Sequence, residues 1–268
     1  MKSDKVFAGS VPRLYEEYLV PLIFQPYAED LANRLVSRHL SRVLEIAAGT
    51  GVVTRRLASV LPKDVSIVAT DLNQPMLDTA AEVGTSRPVE WREADAMQLP
   101  FDDGEFDAVV CGFGVMFFPS KSKAFSEARR VLRPGGVFLF SAWDRIEENV
   151  FANDVTDALA TFFPDDPPRF MARTPHGYHD IALIKSDLAK AGFKYATIET
   201  VKAESRAPSA RDVALAYCQG TPLRNEIEAR GPGRLEAATD HAASVIASRH
   251  GNGKISAKIQ AHVVLARI

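Results

Sequence analysis

Two cysteines in 268 residues, Cys111 and Cys218, leave no material for a disulfide framework. They have no metal-ligand spacing, and such sparse cysteine suits a reducing compartment. Charge of one sign is also lacking: 32 Lys and Arg face 34 Asp and Glu, a formal net charge of −2. No run of Lys and Arg forms a stripe, so the electrostatic footprint of a nucleic-acid binder is missing. There is no apolar run of roughly 18 residues, the length that a membrane-spanning helix needs. The opening MKSDKVFAGS is not followed by an apolar core segment, so it does not read as a signal peptide. Internal repeats and low-complexity tracts are absent. What is there is ordinary globular composition, 46% hydrophobic and 25% charged, read as a cytoplasmic chain.

Residues 11–39 read as helix, with Pro12 and Pro21 at first-turn positions. Ala28, Leu31, Ala32 and Leu35 give helical spacing. The restriction on the residue before a proline predicts a break at Val20–Pro21. From Arg42 a β/α alternation begins. Strands are expected over 42–47, 65–71, 89–95, 106–113 and 135–143, with helices over 51–61, 73–83 and 120–132. Asn73 is placed to cap its helix and Gly84 to end it. The stretch RPGG (133–136) reads as a turn in which Gly135 or Gly136 takes a positive φ. Apolar strands spaced by helices predict a parallel sheet covered on both faces. Beyond Asp144 the pattern loosens. A helix over 149–163, a proline-rich loop over 163–180, a helix ended by Gly192, a strand over 194–204 and helices within 209–249 precede a last alternating strand, 254–268. That strand returns from a long helical excursion, so an antiparallel place at or near one edge is expected.

The stretch VLEIAAGTG (43–51) is a strand that ends in a glycine turn. Such a turn delivers a ligand to a helix N-terminus, or is a plain structural connection. Val52 and Val53 stand where a phosphate loop needs Lys and Ser/Thr. Gly49-x-Gly51-x-x-Thr54 lacks the third glycine of a dinucleotide fingerprint. Asp71, about 20 residues on, suits the hydroxyls of a ribose, or is a surface turn acid.

Four stretches occur in one order: VLEIAAGTG (43–51), ATDLNQPML (69–77), EADAMQLPFDDGEFDAVVCGFGVMFF (93–118) and RVLRPGGVFLFSAW (130–143). Together they resemble the class I S-adenosylmethionine-dependent methyltransferases, in their ubiquinone/menaquinone-biosynthesis-like, small-molecule branch. LAKAGF (188–193) extends the likeness. The resemblance implies an α/β, Rossmann-like doubly wound sheet of seven strands. The sheet is mostly parallel with its last strand antiparallel, with N-terminal helices and a helical cap. It implies a single domain over 1–268: a lid over 1–40, a cofactor-binding core over 41–145, and the remaining sheet with cap insertions over 146–268. The cofactor it implies is S-adenosylmethionine, and the product S-adenosylhomocysteine.

Site residues follow from that likeness. Glu45 matches an acid that orients the binding loop. Ala47, Gly49 and Gly51 match the turn beneath the cofactor, Ala47 replacing a commoner glycine through a slightly wider approach. Asp71 matches the ribose acid, with Leu72 and Met76 against the nucleoside. Asp95 and Ala96 match the pair that meets the adenine, although Asp95 also suits a loop cap and Met76 a core position. Cys111, Gly112 and Phe113 stand where cofactor and acceptor meet. Tyr18, with Tyr15, is a lid residue or part of a packed helix.

The acceptor is less legible. No Asn/Asp-Pro-Pro-Tyr/Phe follows the fourth strand, where CGFGVMFFPS stands, and no Pro-Cys nucleophile occurs. A small or lipid-like molecule remains, with Phe113, Met116, Phe117 and Phe118 near it or in the core. His176 and His179 in TPHGYHD are candidate general bases or loop residues, with Asp180 as a helix cap. No metal site is expected. Methyl transfer competes with two other readings: a nicotinamide-dependent oxidoreductase and a non-catalytic binder of the same fold. Monomer and homodimer remain open.

Overall fold

The computed structural model describes Phe7 and residues 9–268, so most of MKSDKVFAGS, read above as lacking a signal peptide, lies outside the described residues. Seven strands form one sheet: β1 (Arg42–Ile46), β2 (Ser66–Asp71), β3 (Glu90–Glu93), β4 (Phe106–Gly112), β5 (Leu132–Trp143), β6 (Tyr195–Ala207) and β7 (Ile255–Arg267). Their order is β3-β2-β1-β4-β5-β7-β6. Pairings from β3 through β5 are parallel, while β7 runs antiparallel to both β5 and β6. The last strand is therefore next to the edge, and β6 is the edge. It carries exposed charge at Glu199, Lys202, Glu204 and Arg206, which blunts further pairing.

Strand order reverses between β1 and β4, and the crevice of a doubly wound sheet opens there, above the carboxyl ends. Both faces are covered. One apolar cluster joins Leu31, Leu35, Val43, Leu57 and Val110. The larger cluster joins Leu44, Val109, Phe138 and Phe140 to the cap. Between β1 and β2 lies α3 (Val52–Val60), which stops because Leu61 precedes Pro62 and is extended at φ −77°, ψ 150°. Next come α4 (Gln74–Val83) and α5 (Lys121–Val131). Against α5 and β6 lies α8 (Ile181–Lys190), and the cap is α6 (Val150–Phe162), α7 (Phe170–Arg173), α9 (Ala210–Cys218), α10 (Leu223–Glu228) and α11 (Arg234–His250). The short α7 lies inside the stretch expected to be loop.

Three local expectations need correction or sharpening. The N-terminal helix does not break at Pro21. Between α1 (Val11–Leu14) and α2 (Gln25–Val36) the chain is π-helical over Tyr15–Phe24, and Gln25 N–H reaches back to the Val20 carbonyl. The wider turn accommodates the proline ring, which an α-turn would press against a carbonyl. Asn73 occupies the cap position of α4 but does not cap it; its N–H and Nδ2 donate to Asp71 Oδ1 at 2.8 and 3.3 Å. RPGG is a bulge within β5: pairing jumps from Phe106–Leu132 to Ala108–Val137, and Gly135 takes φ +82°. Asp180 caps α8 as expected, accepting from Ala182 and Leu183 N–H, and Gly192 past its end has φ +87°.

Candidate functional site

The turn after β1 is built from left-handed residues. Ala47, Gly49 and Gly51 have φ of +53°, +56° and +83°. Glycine is the common choice at Ala47 because of this backbone, so the expected wider approach is not the reason. A second non-glycine residue of the same kind, Phe113 at +57°, faces it from the end of β4. Strain of this sort is held only where the surroundings over-determine it, and it gathers at functional sites.

Between these two residues lies a cleft that is partly open to solvent. Ala47, Gly49, Asp71, Leu72, Met76, Asp95, Ala96, Gly112 and Phe113 line it. These nine expected residues, from four strand ends, are brought together by the fold. Tyr15, Asn73, Phe117 and Phe118 complete much of the wall.

Asp71 is buried and organises the floor. Its Oδ2 accepts from Gly49 N–H at 2.8 Å and its Oδ1 from Asn73. Burial pushes its carboxyl above the usual range, while the hydrogen bonds from Asn73 and Gly49 pull the other way. Asp95 is exposed, and its Oδ1 accepts from Met97 N–H at 2.8 Å in the loop after β3. Tyr15 is half-buried over Gly49; burial, then the negative charges of Asp71, Glu16 and Glu45, raise its phenol well above its usual range.

The structure places other expected residues outside the cleft. Glu45 is buried beneath the turn, where its Oε2 accepts from Thr54 Oγ1 at 2.5 Å. Burial pushes its carboxyl up to about 8, against the Thr54 bond and the Arg55 charge. Thr54, where a dinucleotide site would have glycine, thus ties α3 to β1. Gly51 faces away: a Cβ there would meet Trp91 at 2.8 Å and Ala80 at 3.2 Å. Cys111 is fully buried behind the cleft, its thiol raised by burial. A Cβ on Gly114 would sit 2.8 Å from the Cys111 sulfur and 2.4 Å from the Ala47 methyl. Tyr18 is half-buried and bonded to Glu17, one turn from the cleft-facing Tyr15. Met116 is buried behind Phe117 and Phe118.

His176 and His179 do not reach the cleft either. His176 is buried, and its Nδ1 donates to the Asp144 carbonyl at 2.8 Å, which fixes the neutral tautomer. Burial lowers its pKa to about 4. Its ring lies 6.0 Å from that of Trp143, which in turn stacks on Phe113 at 3.8 Å. His179 Nδ1 donates to the His176 carbonyl at 2.8 Å. Among the described residues no group of three or more His, Cys, Asp or Glu is placed to hold a metal.

Sequence reasoning treated Asn73 as a cap only and gave no role to Gly114. Adjacency to Asp71 was the available signal for Asn73. A glycine just past a strand end was the signal for Gly114.

The residues fit S-adenosylmethionine. Two carboxylates, Asp71 and Asp95, line the cleft, and no Lys, Arg or His among the described lining residues opposes a sulfonium. Comparisons with known proteins agree. The methyltransferase-domain family model Methyltransf_11 matches residues 44–140. The ubiquinone/menaquinone biosynthesis C-methyltransferase UbiE of Ectopseudomonas mendocina is 31% identical over 207 residues, covering 72% of this chain and 76% of that one. UbiE of Azotobacter vinelandii is 31% identical over 208 residues, covering 72% and 77%. Among solved structures, phosphoethanolamine N-methyltransferase 2 of Haemonchus contortus, in complex with phosphomonomethylethanolamine and S-adenosylhomocysteine, shares the fold. It has a TM-score of 0.60 at 16% identity, covering 96% of this chain and 57% of that one. The YcgJ protein of Bacillus subtilis also shares it, with a TM-score of 0.56 at 19% identity, covering 91% and 99%. These likenesses set aside a nicotinamide-dependent oxidoreductase. With its glycine turn, strand-end acids and these relatives, the chain belongs to the class I S-adenosylmethionine-dependent methyltransferases of the UbiE-like type.

Proposed function

We propose that the enzyme methylates a small, apolar, quinone-like or lipid-like acceptor seated against Phe113, Phe117 and Phe118. The observation that carries this is the lining of the cleft: Phe113, Phe117 and Phe118 are part of it, and its only titratable side chains among the described residues are Tyr15, Asp71 and Asp95. An anionic acceptor finds no cation there. The relatives named for C-methylation in ubiquinone and menaquinone biosynthesis support the same class.

When bound, S-adenosylmethionine supplies a methyl group on a sulfonium, open to in-line displacement. The chain's own part is positioning, since reacting atoms must meet at roughly 3–3.5 Å. Asp71 would accept from the ribose hydroxyls with the lone pairs that Gly49 and Asn73 leave. Asp95 and Ala96 N–H would meet the adenine, with Leu72 and Met76 against the nucleoside. Glu45 supports the turn from beneath through Thr54 and does not touch the ligand. Phe113 presses on the methyl end from its left-handed backbone. Neither His176 nor His179 serves as base in this reading.

We further read the chain as one domain: a lid up to residue 40, a cofactor core over 41–145 and a cap-bearing remainder. It acts in the cytoplasm as monomer or homodimer, without nucleic acid; the two buried free thiols fit a reducing compartment. No helix among the described residues is long and apolar enough to cross a membrane.

Turnover of labelled cofactor across a panel of hydroquinones, phenols, amines and carboxylic acids tests the acceptor class. Methylation confined to hydroquinones is the expected result, and transfer only to anionic acids would overturn it. Asp71→Ala should weaken S-adenosylhomocysteine binding by about 1.5–3 kcal/mol, the worth of a charged hydrogen bond. Calorimetry showing a change under about twofold would remove Asp71 from the ribose role.

A further inference from the structure

A single guanidinium outside the cleft joins two of its walls. Arg55 lies in the first turn of α3, and its Nη1 donates to the Thr50 carbonyl at 2.6 Å. Thr50 sits in the glycine turn between Gly49, which lines the cleft, and Gly51. The same side chain donates through Nη2 to Glu16 Oε1, also at 2.6 Å, across 39 residues of sequence. Glu16 follows Tyr15, which lines the cleft. Arg55 and Glu16 are only 23% and 20% exposed, so the pair is partly shielded from solvent screening.

Three further observations give this contact a function beyond bracing the fold. First, Glu16 and Tyr15 begin the π-helical segment, which contains Pro21. A π-turn is a weaker, wider ladder than an α-helix and is found at functional sites. Second, Arg55, Glu16, Pro21, Gln25, Glu29 and Arg56 line a separate solvent-open crevice on the outer side of this segment. Third, Glu16 Oε2 and Arg56 Nε are buried there with no partner among the described residues. Arg55 thus engages the Glu16 carboxylate through one oxygen alone, beside the solvent-open crevice.

We infer that Arg55 is a positioning residue for cofactor binding: it locks Tyr15 and the glycine turn together, so the ligand leaves only when the Glu16–Arg55 contact opens. This rests on the reading of the cleft as the S-adenosylmethionine site. Arg55 and Glu16 touch no ligand; they act through Tyr15 and Thr50. The contact governs residence more than encounter, as differences within one binding site mostly fall on dissociation.

The test is stopped-flow binding of S-adenosylhomocysteine to the full chain, with thermal unfolding of the ligand-free protein alongside. Arg55→Met should raise the dissociation rate about tenfold with little change in association. Glu16→Gln should do the same. The double variant should be no faster than Arg55→Met alone, because Glu16→Gln removes a contact that Arg55→Met has already removed. Arg55→Lys, able to reach one partner but not both in the fork geometry, should fall between wild type and Arg55→Met. Folded variants that release the ligand within about twofold of wild type would overturn the inference, as would single effects that multiply in the double variant. If wild type itself bound no S-adenosylhomocysteine, the cofactor reading would fall and take this inference with it. Normal wild-type binding with unaltered variants would sink the role of Arg55 alone.

Discussion

Ala47 carries a methyl group where its backbone favours none. A left-handed conformation costs an L-residue about 1–2 kcal/mol. Glycine relieves that but adds about 0.4–1 kcal/mol of unfolded-state entropy, so Ala47→Gly should stabilise the fold by about 0.5–1 kcal/mol in urea unfolding. The methyl also dictates its neighbour. A Cβ on Gly114 would lie 2.4 Å from it and 2.8 Å from the Cys111 sulfur. Gly114→Ala should therefore cost about 2–3 kcal/mol, near the upper end for overpacking. In an Ala47→Gly background one of the two obstructions is gone, and the cost should drop by about 1 kcal/mol; additivity within about 0.3 kcal/mol would refute the contact. The motif made Ala47 legible as a turn residue, but residue type does not print φ. The same limit applies to Gly51 and Cys111. Both belong to the right stretch, yet Gly51 turns its back to Trp91 and Cys111 points behind the cleft.

The β/α alternation from β1 to β5 was legible because each strand is a buried apolar run bounded by a turn signal. A helical phase was not legible where the helix itself changes type. Counting 3.6 residues per turn makes Tyr15 and Tyr18 near neighbours on one face. The π-helical turn through Pro21 alters that phase, and Tyr15 alone lines the cleft. Tyr15→Ala should weaken S-adenosylhomocysteine binding about tenfold, equivalent to about 1.4 kcal/mol, while Tyr18→Ala stays within about twofold. Calorimetry on the two variants decides it, and equal losses would return the N-terminal segment to a simple amphipathic helix. The cap was least legible for a related reason. Its helices α6, α9 and α11 bury faces against one another, so their spacing reports packing and carries no chemistry. The histidines of TPHGYHD were read as candidate bases because histidine titrates near neutrality, but sequence does not show that a loop residue is buried against a carbonyl.

Across the whole molecule, two buried groups oppose each other in setting how stability follows pH. Glu45 has a folded pKa of about 8 against an ordinary 4.5, raised chiefly by burial. Between those values the folded state holds a proton that the unfolded chain has released, so stability falls as pH rises, by about 1.4 kcal/mol per unit. His176 has a folded pKa of about 4 against an ordinary 6.5, lowered chiefly by burial. Between those values the unfolded chain binds the extra proton, so stability rises with pH at the same slope. For these two groups the slopes cancel from pH 4.5 to 6.5, and from 6.5 to 8 that of Glu45 is unopposed. Asp71, whose carboxyl burial also raises, adds a fall shared by wild type and both variants. Ligand-free protein unfolded in urea should lose stability more steeply above pH 6.5 than below it, by an added amount of about 1.4 kcal/mol per unit once the His176 slope has ended. Glu45→Gln keeps an acceptor for Thr54 and removes the titration, so relative to wild type its stability should climb by about 1.4 kcal/mol per pH unit from 4.5 to 8. His176→Asn keeps a donor for the Asp144 carbonyl, and its stability should fall steadily from pH 4.5 to 8. The carboxylates held below their usual range, Asp107, Glu127 and Asp144 among them, act below this window and leave the differences between variants unchanged. Profiles of both variants that run parallel to wild type would show that neither buried group titrates as its surroundings dictate.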